Sequence, residues 1–105
     1  MTARSRILVM PRAKDEILHI ARWWKEERPR ARDLFRRELR AARALLRAFP
    51  NCGRRCDVPG FEAVRRLLLR RTRYYLYYRW DEGSQLLIVL AIRHTSRGPT
   101  EDSPT

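Results

Sequence analysis

The run Thr72-Arg73-Tyr74-Tyr75-Leu76-Tyr77-Tyr78-Arg79-Trp80-Asp81, the link Glu82-Gly83-Ser84, and then Gln85-Leu86-Leu87-Ile88-Val89-Leu90-Ala91-Ile92-Arg93-His94 carry the strongest fold signal in this chain. The first half alternates with a period of two. Tyr74, Leu76, Tyr78 and Trp80 share one face, and Arg73, Tyr75, Tyr77 and Arg79 share the other. Asp81-Glu82-Gly83-Ser84 reads as a hairpin turn, with Gly83 available for a positive φ. The second half is apolar without alternation through Ile92, the pattern of a central strand covered on both sides. These residues predict an antiparallel hairpin at the heart of a sheet.

Upstream, Glu62 to Arg70 contains Val64, Leu67, Leu68 and Leu69 and reads as a further strand. A loop over 50–61 precedes it, with Pro59-Gly60 as a turn signal. Before the loop the period becomes helical. Phe35, Leu39, Ala42, Leu46 and Phe49 recur at steps of three and four, widened by Ala31, Leu34 and Leu45. Pro29 reads as the first residue of this helix, which would run to Phe49 and measure about 30 Å. Its opposite face carries Arg32, Arg36, Arg40, Arg43 and Arg47, relieved only by Asp33 and Glu38. An earlier helix runs from Ala13 to about Arg28, with Ile17, Ile20, Ala21 and Trp24 on one side and Asp15 and Glu16 in its first turn. Arg6 to Met10 reads as a short strand stopped by Pro11. The order β-α-α-β-β-β predicts an α+β fold of two layers, a helical hairpin packed on an antiparallel-rich sheet. It forms one domain over 1–97, followed by a polar, frayed tail over 98–105.

The chain has 105 residues, 44% of them hydrophobic and ten of them aromatic, which argues against disorder. Its longest apolar run, Leu86 to Ile92, is far short of the roughly 20 residues of a membrane span. Only four apolar residues separate Arg6 from Pro11, too few for the apolar region of a signal peptide. The expected location is the cytoplasm, away from membranes. Twenty-four basic side chains face 12 acidic ones, a net charge of +12. Such a surface attracts polyanions or an acidic protein partner, with strong salt dependence. Twenty-two of the 24 are arginine, so codon bias is a competing source for some of them.

Few patterns carry chemistry. Cys52 and Cys56 stand in Cys-Gly-Arg-Arg-Cys, flanked by cations and far along the chain from His19 and His94, which disfavours a metal. Two unlinked loop thiols are the simpler reading, and no cofactor is expected. There is no Gly-rich phosphate loop and no Gly-x-Ser-x-Gly. His19 reads as an ordinary, partly exposed helix residue. His94 has two readings: a general acid or base on a phosphodiester beside Arg93 and Arg97, or a strand-end residue bonded to backbone. Arg65, Arg66, Arg70, Arg71, Arg73, Tyr75, Tyr77 and Arg79 interleave guanidiniums and rings. They suit single-stranded nucleic acid, an acidic and partly apolar peptide, or ordinary cross-strand packing.

Taken in order, these features resemble the RelE/ParE superfamily of bacterial type II toxins. They comprise the opening strand, Ala13-x-Asp15-x-Ile17-x-x-Ile20 and the long helix ending in Phe49-Pro50. Val64-Arg65-Arg66-Leu67, Tyr74-Tyr75-Leu76-Tyr77-Tyr78-Arg79, and Ile88-Val89-Leu90-Ala91-Ile92-Arg93-His94 with Arg97 complete the set. The ending resembles the ParE branch, whose last strand finishes in His followed by arginine. The resemblance implies a cytoplasmic toxin held in a hetero-oligomer by a ParD-like antitoxin. In the RelE branch the toxin cuts mRNA on the ribosome, and His94, Arg79 and Arg97 would surround the scissile phosphate. Tyr75 and Thr95 stand where that branch places arginines. The ParE branch instead inhibits DNA gyrase by binding, and it is the branch this combination implies. Arg36, Arg40, Arg43, Arg47, Arg65, Arg71, Arg73, Tyr75, Tyr77 and Arg93 are then the expected contacts to antitoxin or target.

Overall fold

The computed structural model describes residues 6–96. Along the chain run β1 (Arg6–Val9), α1 (Pro11–Glu27), a 3-10 turn (Pro29–Ala31), α2 (Leu34–Ala48), β2 (Arg54–Arg55), β3 (Val64–Leu69), β4 (Tyr74–Asp81) and β5 (Leu86–His94). The strands form one sheet in the order β1-β5-β4-β3-β2, with β1 parallel to β5 and every other pair antiparallel. Both helices pack on one face, so the two-layer α+β architecture is the expected one. The short edge strand β2 was not anticipated. Arg97 and the tail 98–105 lie outside the described residues.

Pro11 ends β1 and opens α1, where its missing N–H is harmless. The first turn is therefore Pro11 to Lys14 and holds no acidic side chain; Asp15 and Glu16 fall one turn later than expected. A larger difference concerns Pro29. It opens a single 3-10 turn, closed by Ala31 N–H on the Arg28 carbonyl at 2.9 Å, and α2 begins only at Leu34. The ring of a proline disfavours helical geometry in the residue before it, and Arg28 accordingly leaves helical space at φ −133°, ψ 66°. The 15 residues of α2 span about 22 Å instead of 30 Å, and Arg32 sits in the link, off the helix.

The core lies between the layers. Ala13, Ile20 and Ala21 of α1 and Phe35, Ala42 and Leu46 of α2 meet Leu69, Leu76, Tyr78, Leu87, Val89 and Ile92 of the sheet. On β4 the predicted alternation holds: Tyr74, Leu76, Tyr78 and Trp80 pack toward the helices. On β5 it is interrupted. Tyr78 pairs with Val89 and Tyr77 with Ala91, which leaves Leu90 as an extra residue, a β-bulge. Leu87 and Val89 face the helices before it, and Ile92 and His94 face them after it.

The β4–β5 turn also differs in detail. The positive φ belongs to Gln85, at 55°, and not to Gly83. Gln85 Nε2 donates to the Glu82 carbonyl at 2.8 Å, and Ser84 Oγ donates to Asp81 Oδ2 at 2.6 Å, so side chains hold this turn. The Pro59-Gly60 turn forms as expected: Phe61 N–H reaches the Val58 carbonyl at 3.0 Å with Gly60 at φ 85°.

Candidate functional site

β1 is shorter than β5, so on that side the second half of β5 has no strand beside it, while β4 pairs with it on the other. α1 supplies the substitute. Glu16 Oε1 accepts the Ile92 N–H at 3.0 Å, in the place of a strand carbonyl. Its other oxygen lies 3.8 Å from Arg93 Nη2 and 3.6 Å from Arg12 Nε. Arg93, expected as a contact to antitoxin or target, is only 7% exposed and helps close this edge. The sequence clue to Glu16 was its position four residues after Arg12 on one helix.

His94 ends β5 on the helix side. Its ring meets Tyr74 edge-on at 5.3 Å, and Tyr74 in turn meets Phe35 edge-on and accepts the Trp24 Nε1–H at 3.3 Å. The Ser96 backbone N–H points at His94 Nδ1 at 3.2 Å, with Ser96 Oγ 3.0 Å from the same nitrogen. An N–H donor on Nδ1 assigns the neutral ring its proton on Nε2. The lone pair a general base would use is therefore occupied by backbone. His94 and His19 line one cavity of about 530 Å³ with Asp15, Glu16, Trp23 and Tyr74.

Arg79 is elsewhere. It sits between helix-facing Tyr78 and Trp80 and opposite Ile88, so it projects from the other face of the sheet. Five residues of strand, about 17 Å, separate it from His94. The described part of the expected cleavage group is thus not brought together, and its third member, Arg97, lies outside the described residues.

The arginine stripe of α2 is brought together. Arg36, Arg40, Arg43 and Arg47 line one groove of about 570 Å³ with Leu39, Ala44 and Ala48. The arginines of the sheet do not form a single surface. Arg65 turns to the helix side, where its Nη1 donates to the carbonyls of Asn51 at 3.1 Å and Gly53 at 2.7 Å, clamping the α2–β2 loop. Arg71 and Arg73 belong to the β3–β4 turn, where Glu38 of α2 accepts the Arg71 and Thr72 N–H groups at 2.8 Å each. Burial raises the Glu38 pKa, but the Thr72 hydroxyl, these two N–H groups and the Arg71 charge outweigh it and hold the carboxyl below its ordinary value.

On the open face Tyr75 lies under the Arg66 guanidinium at 4.1 Å, a cation–π stack. Tyr77, expected as a contact to antitoxin or target, is 3% exposed. Its hydroxyl is buried with no hydrogen bond of good geometry among the described residues. Burial pushes its pKa up, against the pull of nearby Arg66. Tyr78, on the helix side, is fully used. It donates to the Pro50 carbonyl at 2.7 Å and accepts the Gly53 N–H at 2.9 Å, and burial raises its pKa.

Both cysteines are free. Cys52 lies by Tyr78 and Cys56 by Tyr77, on opposite sides of β2, and burial raises the Cys52 pKa. Among the described residues no group of three or more His, Cys, Asp or Glu side chains could hold a metal ion. None of their helices is long and apolar enough to cross a membrane.

The fold is that of known toxins. The toxin–antitoxin complex RelBE2 from Mycobacterium tuberculosis contains a chain similar to this one, with 17% identity, a TM-score of 0.60, and coverage of 88% of this chain and 99% of that one. The isolated E. coli RelE toxin is similar at 16% identity with a TM-score of 0.55, covering 90% of this chain and 88% of that one. At such identities the likeness speaks for the fold alone. No curated protein matches the chain by sequence. A family model, the ParE toxin of the type II toxin–antitoxin system parDE, matches residues 7–99, from the first strand past the end of β5. The chain therefore belongs to the ParE toxin family of type II toxin–antitoxin systems.

Proposed function

We propose that this toxin acts by binding DNA gyrase, that a ParD-like antitoxin neutralises it in a hetero-oligomer, and that it does not cleave mRNA on the ribosome. The observation that carries the reading is the separation of His94 from Arg79. Phosphodiester cleavage needs a proton-transfer group and cations converging on one phosphate. Here the His94 imidazole has its Nδ1 lone pair on the Ser96 N–H, and Arg79 projects from the opposite face. By the family resemblance, Tyr75 and Thr95 stand where the RelE branch places arginines. Membership of the ParE family supports the same reading, and a cytoplasmic toxin domain over 1–97 with a polar tail over 98–105 is part of the proposal. The α2 groove with Arg36, Arg40, Arg43 and Arg47 is the proposed charged contact surface of the target.

The test uses purified gyrase, plasmid DNA and, in parallel, translating ribosomes. The toxin should block supercoiling and leave ribosome-bound transcripts intact. Toxicity of His94→Gln should then follow gyrase binding. Transcript cleavage without any effect on gyrase would replace this reading with the RelE-type one.

A further inference from the structure

On α2 five arginines stand against one acid, Glu38. At 3.6 residues per turn, Arg36, Arg40, Arg43 and Arg47 fall within an arc of about 60° and along about 16 Å of helix axis. Glu38 lies on the other side of the helix, where its two oxygens accept from Arg71 and Thr72. It therefore leaves the ridge of guanidiniums uncompensated from within α2. All four arginines are exposed, and the groove of about 570 Å³ that they line is contributed by α2 itself. At the start of the helix a second hollow of about 320 Å³ adds Arg30, Arg32 and Arg37, with Asp33 as the one acid among its described lining residues.

We propose that this ridge binds the sugar–phosphate backbone of double-stranded DNA without sequence preference. The proposal rests on the gyrase reading and deepens it: the part of the target that α2 meets is the DNA. A duplex strand carries one phosphate per about 3.4 Å of axis, so a strand running beside the ridge offers about five phosphates over its length. Contacts of this kind position a protein on DNA and read no sequence. The lining residues select a duplex over the other anions. None of those described in either hollow is aromatic, so neither hollow offers ring faces on which unpaired bases stack. A protein partner is anchored by large apolar or aromatic side chains seated in pockets. The groove's apolar residues are Leu39, already packed against the core, and two alanines.

Fluorescence anisotropy on the full chain tests this with short duplexes of two unrelated sequences, a single strand of equal charge, and polyglutamate of equal charge. The two duplexes should bind equally and more tightly than the other probes. The logarithm of the duplex binding constant should fall with the logarithm of salt concentration at a slope of about −3.6, the value for four phosphates. Arg40→Gln with Arg43→Gln should halve that slope to about −1.8 and weaken duplex binding about tenfold. Arg22→Gln with Arg54→Gln, which removes the same charge elsewhere, should leave affinity within about twofold. These side chains are exposed, and circular dichroism verifies that the variants keep the fold. On gyrase, the α2 double variant should lose more binding when DNA is loaded than when it is absent. Equal losses from the two double variants would reduce the attraction to net charge and overturn the proposal. Polyglutamate or the single strand binding as tightly as the duplex overturns it too, as does an equal loss on gyrase with and without DNA. Duplex binding is read without gyrase and supercoiling inhibition in its own assay, so either reading can fail alone.

Discussion

Glu38 on α2 and Thr72 in the β3–β4 turn form a tight polar tie between the two layers. Glu38 Oε1 accepts both the Thr72 hydroxyl at 2.6 Å and the Thr72 N–H at 2.8 Å, and Thr72 is almost fully buried. Arg71 N–H on Oε2 completes the clasp. The turn needs such an anchor because Arg73 closes it in the left-handed region at φ 69°, strained for any residue with a Cβ.

Replacing Glu38 should therefore loosen the turn and alter the acid response. Glu38→Ala should cost about 1–3 kcal/mol, nearer the lower end because the carboxylate is partly screened by solvent. Its pKa is lowered on folding, so its stabilisation is complete above the unfolded-state value and is lost as pH falls through the folded one. Urea unfolding of the parent should show stability declining below about pH 4.5, and Glu38→Gln should flatten that decline. Parallel acid profiles for parent and variant would refute the assignment.

The loop after α2 makes a steric prediction. A Cβ on Gly53 would stand 2.6 Å from the Tyr78 hydroxyl and 2.9 Å from the Arg66 carbonyl oxygen. Gly53→Ala should cost about 2–3 kcal/mol, since both neighbours are held. Gly60→Ala meets no atom within 4 Å and should cost only the left-handed penalty of about 1 kcal/mol. Thermal melts that rank the two the other way would contradict the packing described.

Tyr77→Phe should leave the free protein as stable as the parent, or more stable by up to about 1 kcal/mol, because a buried hydroxyl without a good partner is removed. Tyr78→Phe, one residue on, should lose about 1–3 kcal/mol by orphaning the Gly53 N–H and Pro50 carbonyl. The contrast is measurable in one set of melts, and equal losses would show that Tyr77 has a bond unaccounted for.

The α2 stripe predicts a salt effect. Arg40→Glu with Arg43→Glu should weaken gyrase binding and flatten its dependence on salt, since exposed charges act through screened, long-range attraction. Both side chains are exposed, so stability should move by less than about 0.5 kcal/mol. Unchanged gyrase affinity would assign these arginines to solvated surface alone.

The sequence by itself determined the order of all elements but the short β2 and the 3-10 turn, the helical hairpin, the alternation of β4 and the central place of β5, because period and apolar content are local properties. It also carried the family resemblance, which the match over 7–99 shows. It could not show that Pro29 opens a 3-10 turn, since a proline suits either helix start. Nor could it separate Tyr77 from Tyr75: both belong to one alternating face, and only the packing against that face buries one and stacks the other under Arg66.

The faces of Arg93 and His94 were decided by tertiary structure alone. Continued without interruption, the register of β5 would turn Arg93 toward the helices and His94 away from them. The single extra residue at Leu90 reverses both, because a shift of one residue moves every later side chain to the other face. An unbroken apolar run such as Leu86 to Ile92 holds no mark of where that bulge falls. The bulge puts His94 against Tyr74, so the separation of His94 from Arg79 is a property of the folded sheet.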